Sequence, residues 1–302
     1  MAAQGGIGWI KERAGFVAGI AVGLAAGLVL VGLMVADSSS GKRHQGASAT
    51  PSASSGGTAP STAASPSPSA SGSAGAVPPL VAGTVSLDGW KLTLPVDKDG
   101  DLSGKAKELQ TAAVTAPWLV RNADGSLTFW APSAGATTSN SEHSRTELVS
   151  DNDFTFGGSG VHTLSALLSI GQVPTTDPDI TIGQIHGGGT LKSIPFVMLH
   201  WRDGNIVAIV KTVMHGSSSQ SITLLKGVPL NARFSYSMTD EGNGTLSLTA
   251  TCNGATKTVT TQVVPAFMGT DERFQVGDYQ QATSSSSASD GGRVTFYAIQ
   301  AS

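Results

Sequence analysis

A chain of 302 residues with 39% hydrophobic, 6% aromatic and 13% charged side chains, and with 38 glycines, is too uneven for one globular body. Its single cysteine, Cys252, excludes an internal disulfide framework, and no Cys/His spacing suits a structural zinc site. A net charge of −3 with no Lys/Arg-rich run speaks against a nucleic-acid binder.

After a short segment, 1–15, residues 16–36 read FVAGIAVGLAAGLVLVGLMVA, without a charged or strongly polar side chain. As a helix this run spans roughly 30 Å, one bilayer core. It is longer than a secretory apolar region and ends in a poor cleavage site, so the expectation is an uncleaved anchor, with a cleaved and secreted form as the alternative. Lys11 and Arg13 before it are balanced by Lys42 and Arg43 after it, so flanking charge does not orient it. Gly15, Gly19, Gly23 and Gly27 form a small-residue ridge, which reads first as the abundance of small residues in such spans and, as the alternative, as a face on which two such helices pack as a dimer. Residues 37–85 follow as a linker, and its 45–76 stretch holds only Gln, Gly, Ala, Ser, Thr and Pro. With no large side chain to offset the entropy of ordering, it reads as a flexible tether.

From Ser86 to Ser302 short runs rich in Val, Ile, Leu, Thr and Phe alternate with Gly, Asp, Asn and Pro breaks, which predicts strands. The runs are Trp90–Leu94, Leu127–Ala131, His162–Ile170, Asp179–His186, Phe196–Trp201, Ile206–Met214, Ser221–Leu225, Arg233–Thr239, Thr245–Cys252, Thr256–Val263, Arg273–Gln281 and Arg293–Gln300. Only Lys105–Val120 suggests short helix. The fold class is therefore all-β: one antiparallel sandwich or jelly roll.

Three strand-like segments carry polar residues on a two-residue period, and therefore on one face. They are Arg145 and Glu147; Gln184 and His186; and Gln275, Tyr279 and Gln281, with Gly277 keeping the last face open. The blocks stand as RTELV from Arg145, QIH from Gln184 and RFQVGDYQQ from Arg273, behind an opening GWKLTLP from Gly89. In order and spacing they resemble the signature blocks R-(S/T)-E-L-R, Q-(I/V)-H and Y-F-K-A-G-x-Y-x-Q of polysaccharide lyase family 7, the alginate lyases, over nearly all of 86–302.

The resemblance implies a β-jelly roll with an open groove that cleaves a uronic-acid polymer outside the cell by β-elimination. The family's catalytic arginine, glutamine, histidine and tyrosine fall on Arg145, Gln184, His186 and Tyr279. Arg145 and Gln184 would hold the carboxylate next to C5, His186 would neutralise charge or take the C5 proton, and Tyr279 would protonate the leaving oxygen or serve both steps. Glu147 would orient Arg145 by a bidentate contact, while Lys211, Gln275 and Gln281 are candidate substrate-binding residues. No metal or organic cofactor is called for. The chain departs from the pattern at Val149, Gln275 and Val276, where two basic residues and an alanine are expected. The folded part holds 14 Lys and Arg against 19 Asp and Glu, so a polyanion is attracted only if positive charge is concentrated in the groove. A glucuronan-type lyase and a non-catalytic carbohydrate-binding jelly roll are the alternatives, and hydrolysis lacks the paired acids it needs.

Overall fold

The computed structural model describes residues 80–283, 287 and 289–302. The apolar run 16–36, its glycine ridge and the tether lie outside these residues. Among the described residues, no helix is long and apolar enough to cross a membrane.

Sixteen strands occur among the described residues. In chain order they begin with β1 (Trp90–Thr93), β2 (Glu108–Leu109), β3 (Leu119–Arg121), β4 (Leu127–Pro132), β5 (Arg145–Ser150) and β6 (Phe154–Thr155). The middle of the chain gives β7 (His162–Gln172), β8 (Asp179–Gly187), β9 (Pro195–Arg202), β10 (Asn205–Lys211) and β11 (Ser219–Leu225). The last are β12 (Phe234–Asp240), β13 (Thr245–Cys252), β14 (Ala255–Gln262), β15 (Asp271–Gln280) and β16 (Gly291–Ala301). They form two antiparallel sheets. The first runs β11-β10-β9-β8-β15-β5-β1-β2, with β6 paired to the start of β15, and the second runs β14-β13-β12-β7-β16-β4-β3.

The sheets bury their inner faces against one another. Leu148, Phe274, Val276, Ile182 and Leu199 from the first sheet join Phe129, Leu164, Leu168, Met238 and Phe296 from the second in one core. Burying each such side chain contributes about 1.5–3 kcal/mol, which ties the strands into a single sandwich. On β5 and β15 the alternation that sends Leu148, Phe274 and Val276 inward sends Glu147, Gln275 and Tyr279 to the outer face.

Two glycines let the central strands approach. Tyr236 reaches from the second sheet to donate its hydroxyl proton to the Ile182 carbonyl at 2.8 Å, and its ring carbon Cζ would lie 2.9 Å from a Cβ on Gly183. The β8–β9 register shifts between Thr181 and Gly183, and beyond this bulge Ile185 packs in the core while Gln184 and His186 reach the groove. Gly277 does more than leave the outer face open: a Cβ there would strike the Thr146 carbonyl and come within 2.7 Å of Glu147 Cα, so only glycine lets β15 lie this close to β5.

The helix expected over Lys105–Val120 is absent. That segment makes long-range backbone bonds instead: Lys107 N–H to the Val96 carbonyl (2.7 Å), Ala106 N–H to Thr137 (2.8 Å) and Ala112 N–H to Trp90 (2.8 Å). Pro117 removes a further helical donor.

Candidate active site

A groove of about 490 Å³ lies on the outer face of the first sheet, floored by β1, β5, β15 and β8 and walled by the loops around Lys105, Thr138–Asn140 and Lys192–Ser193. Cross-strand pairing builds its floor. Lys91 on β1 pairs with Val149 on β5, Val149 with Gln275 on β15, and Gln275 with Gln184 on β8, which makes one row across four strands. Four residues along, Arg145 on β5 pairs with Tyr279 on β15.

The guanidinium of Arg145 stacks beneath the Tyr279 ring, 3.5 Å from its centre. Its Nη1 donates to Glu147 Oε2 at 3.0 Å, while its Nε is buried without a partner. Glu147 is only 1% exposed. Burial raises its pKa, opposed by the charge of Arg145 and by the hydrogen bonds from Gln184 and Arg145. The contact expected to be bidentate is single, because the second carboxylate oxygen, Oε1, accepts from Gln184 Nε2 at 2.6 Å. The same Nε2 donates to Gln275 Oε1 at 3.0 Å.

His186 lines the groove on the far side of β8. Its Nδ1 lies 3.3 Å from the Gly187 carbonyl, an acceptor, so in the neutral ring Nδ1 carries the proton and Nε2 presents a lone pair. Burial pushes its pKa down to about 4; the Gly187 bond opposes this, while the charges of Arg145 and Arg273 reinforce it. The ring is therefore neutral across the ordinary working range. The Tyr279 hydroxyl lies 3.0 Å from Ser141 Oγ, and the His143 ring meets the Tyr279 ring edge-on at 6.1 Å.

Arg145, Glu147, Gln184, His186, Gln275 and Tyr279 are thus brought to one groove, whereas Lys211 and Gln281 are not. Lys211, at the end of β10, turns its ammonium to the Gly216 carbonyl at 2.5 Å. Gln281 folds back, with Nε2 donating to the Tyr279 carbonyl at 3.0 Å and to Thr181 Oγ1 at 3.2 Å. Sequence reasoning missed the cations that line the groove, Lys91, Lys105, Lys192 and Arg273, beside the acids Glu108 and Glu147; Lys91 and Arg273 also pair with Asp151 at 3.5 Å and Asp153 at 3.1 Å. Lys91 was discoverable, because it alternates with buried Trp90 and Leu92. Lys105 and Lys192 lie in loops, where no periodicity marks them. Among the described residues, no group of three or more His, Cys, Asp or Glu is placed to hold a metal ion.

A jelly-roll sandwich whose outer face joins a stacked Arg–Tyr pair, a neutral histidine and a carboxylate-anchored amide pair beside several cations is suited to holding an anionic ligand next to groups that can move a proton. Comparison with known proteins gives the family: residues 85–302 match the family model described as alginate lyase, and the chain belongs to that family. It is 32% identical over 149 residues to an alginate lyase of Klebsiella pneumoniae, a match covering 37% of this chain and 47% of that protein, so the match spans about half of that relative's length. An alginate lyase of Pseudomonas aeruginosa shares the fold with a TM-score of 0.63 and 28% identity, over 72% of this chain and 99% of that one. Alginate lyase A1-II′, a member of polysaccharide lyase family 7, gives 0.61 and 26%, over 72% and 96%. Variants of A1-II′ with a tyrosine changed to phenylalanine, alone or together with a histidine changed to asparagine, have been solved with product and with substrate respectively.

Proposed function

We propose that this protein is a polysaccharide lyase that cuts a 4-O-linked uronic-acid polymer, alginate, by β-elimination. The observation that carries the reading is the Arg145–Tyr279 stack set beside His186 and the Glu147–Gln184–Gln275 chain in one cation-rimmed groove. Elimination removes the proton on C5 and expels the oxygen on C4, leaving a C4=C5 double bond. The neighbouring carboxylate opposes charge build-up at C5, so it must be held by donors that strengthen as that charge develops. Arg145 and an amide of the linked Gln184–Gln275 pair supply them. With its carboxylate held, C5 is acidified enough for a neutral acceptor, and His186 Nε2 is one at any pH well above 4. The Tyr279 hydroxyl gives its proton to the departing O4, and its bond to Ser141 fixes where that hydroxyl points. The A1-II′ variants with substrate and product support the reading, since the side chains altered there are a tyrosine and a histidine.

The test is to incubate the protein with alginate and follow the ultraviolet absorbance of unsaturated uronate ends. Steady growth of that signal is expected. Binding of the polymer without any new unsaturated end would make the protein a carbohydrate-binding jelly roll instead. The apolar run 16–36 and the tether after it further support a domain held outside the cell on an uncleaved helix, and mature protein in the medium beginning after Ala36 would overturn that placement.

A further inference from the structure

We infer that the amide which meets the substrate carboxylate in this chain is that of Gln275, and that Gln184 is a positioning residue that turns it toward the groove. The inference rests on the lyase reading and deepens it. Glu147 accepts at both oxygens, from Arg145 Nη1 at 3.0 Å and from Gln184 Nε2 at 2.6 Å. Protonating it would leave the buried guanidinium of Arg145 without a counter-charge, so it stands as an acceptor only. The Gln184 atom facing it must then be the NH₂ group. That group has two hydrogens, and the second goes to Gln275 Oε1 at 3.0 Å. Both are spent. Gln184 can offer the groove only its carbonyl oxygen, which repels a carboxylate.

The same logic fixes Gln275. A donor on Gln184 requires an oxygen opposite, so the Gln275 oxygen faces β8 and its own NH₂, with no hydrogen-bond partner among the described residues, is left for the groove. Backbone pairing holds the two side chains level, with Gln275 directly opposite Gln184. Where the signature block that this segment resembles has a lysine, whose ammonium donates in any rotation, this chain carries an amide that must be turned the right way round. The line from Glu147 through Gln184 to Gln275 turns it, converting a fixed negative charge into a donor aimed at the substrate.

A double-mutant cycle separates this from direct binding by Gln184. Gln184→Met keeps the side-chain length and removes both donors. In the parent chain it should lower turnover of alginate roughly 10²-fold, since Gln275 loses its orientation. In a Gln275→Lys background the ammonium needs no orienting, so the same change should cost several-fold less. An equal cost in both backgrounds overturns the inference and returns the carboxylate to Gln184. If Gln184→Met does not fold, as judged by its melting transition, Gln275→Ala alone decides: roughly 10²-fold slower turnover is expected, and a rate near that of the parent overturns the inference. Absence of unsaturated product from the parent chain itself would sink the lyase reading and this inference together, whereas an active parent with an additive cycle sinks this inference alone.

Discussion

Arg145 has one guanidinium and three neighbours: the Tyr279 ring above it, the Glu147 carboxylate beside it, and the groove. Only a flat, delocalised cation can stack on a ring and still aim N–H groups in its own plane at two separate carboxylates. Arg145→Lys keeps the charge and loses that geometry, so turnover of alginate should fall roughly 10²-fold while the melting temperature changes little. Near-normal turnover in steady-state assays would make Arg145 a support for Tyr279 and nothing more. Tyr279→Phe separates those roles further, because the ring that rests on Arg145 stays and only the hydroxyl near Ser141 goes. A positioned proton donor contributes roughly 10²–10⁴-fold, so kcat should drop by at least about 10² with KM nearly unchanged. A variant forming unsaturated ends at close to the parent rate would show that the proton comes from elsewhere.

At the level of strands, the site exists because β8, β15 and β5 are neighbours, and their spacing depends on residues that touch no substrate. Gly277 is one of them. Gly277→Ala would press a methyl group into the Thr146 carbonyl and Glu147 Cα, displacing the strand that carries Arg145. The expected result is a loss of about 1–3 kcal/mol in stability, read by denaturant melts, together with reduced turnover. Full stability and full activity would mean that β5 yields without cost. Much of this level was legible in the sequence, since Arg145/Glu147, Gln184/His186 and Gln275/Tyr279 each alternate with core residues and so declared a shared face. What the period could not give was the order of strands, and with it the row from Lys91 through Val149 and Gln275 to Gln184, because pairing partners lie far apart in the chain. The same limit explains the misread 105–120 segment: its local composition allows helix, but its backbone bonds go to Val96, Trp90 and Thr137. The loop residue Ser141, now beside the Tyr279 hydroxyl, carried no signal for the same reason.

Over the whole domain, acids outnumber bases, yet Lys91, Lys105, Lys192, Arg145 and Arg273 line the groove against Glu108 and Glu147. Lys91 and Arg273 are also paired, with Asp151 at 3.5 Å and Asp153 at 3.1 Å, so the groove keeps a smaller positive excess in a domain that is negative overall, and the cations expected at Val149 and Gln275 are replaced by ones on β1 and in the loops. Attraction of this kind is screened within about 10 Å at 0.1 M salt. Raising the salt should therefore raise KM for alginate several-fold while kcat changes less, and a KM independent of ionic strength would deny these side chains a part in capture.

The stability of the domain carries its own pH signature, because carboxyls lie wholly inside it, those of Glu272, Asp240 and Asp278 among them. Glu272 on β15 is 0% exposed; Thr270 donates to its Oε1 at 3.0 Å, and its Oε2 has no partner. Burial pushes its pKa from 4.5 up to about 7; the Thr270 bond opposes this, the charges of Asp153 and Asp271 add to it, and Arg273 opposes it. Between those two values the folded chain holds a proton that the unfolded chain has released, so stability falls as pH rises from 4.5 to 7. Above pH 7 the full cost is present, roughly 3 kcal/mol at 1.36 kcal/mol per pH unit. His186 acts in the opposite sense, its depressed pKa adding stability as pH climbs from about 4 to 6.5, and burial also raises the pKa of Glu147 and of Asp278, so the parent's melting curve alone mixes several contributions. Glu272→Gln removes one contribution and leaves the others. The gap in melting temperature between variant and parent should widen by several degrees from pH 5 to pH 8, with the variant higher at pH 8. A gap that is the same at both pH values would mean that Glu272 is ionised in the folded domain at pH 5, with a partner for Oε2 after all.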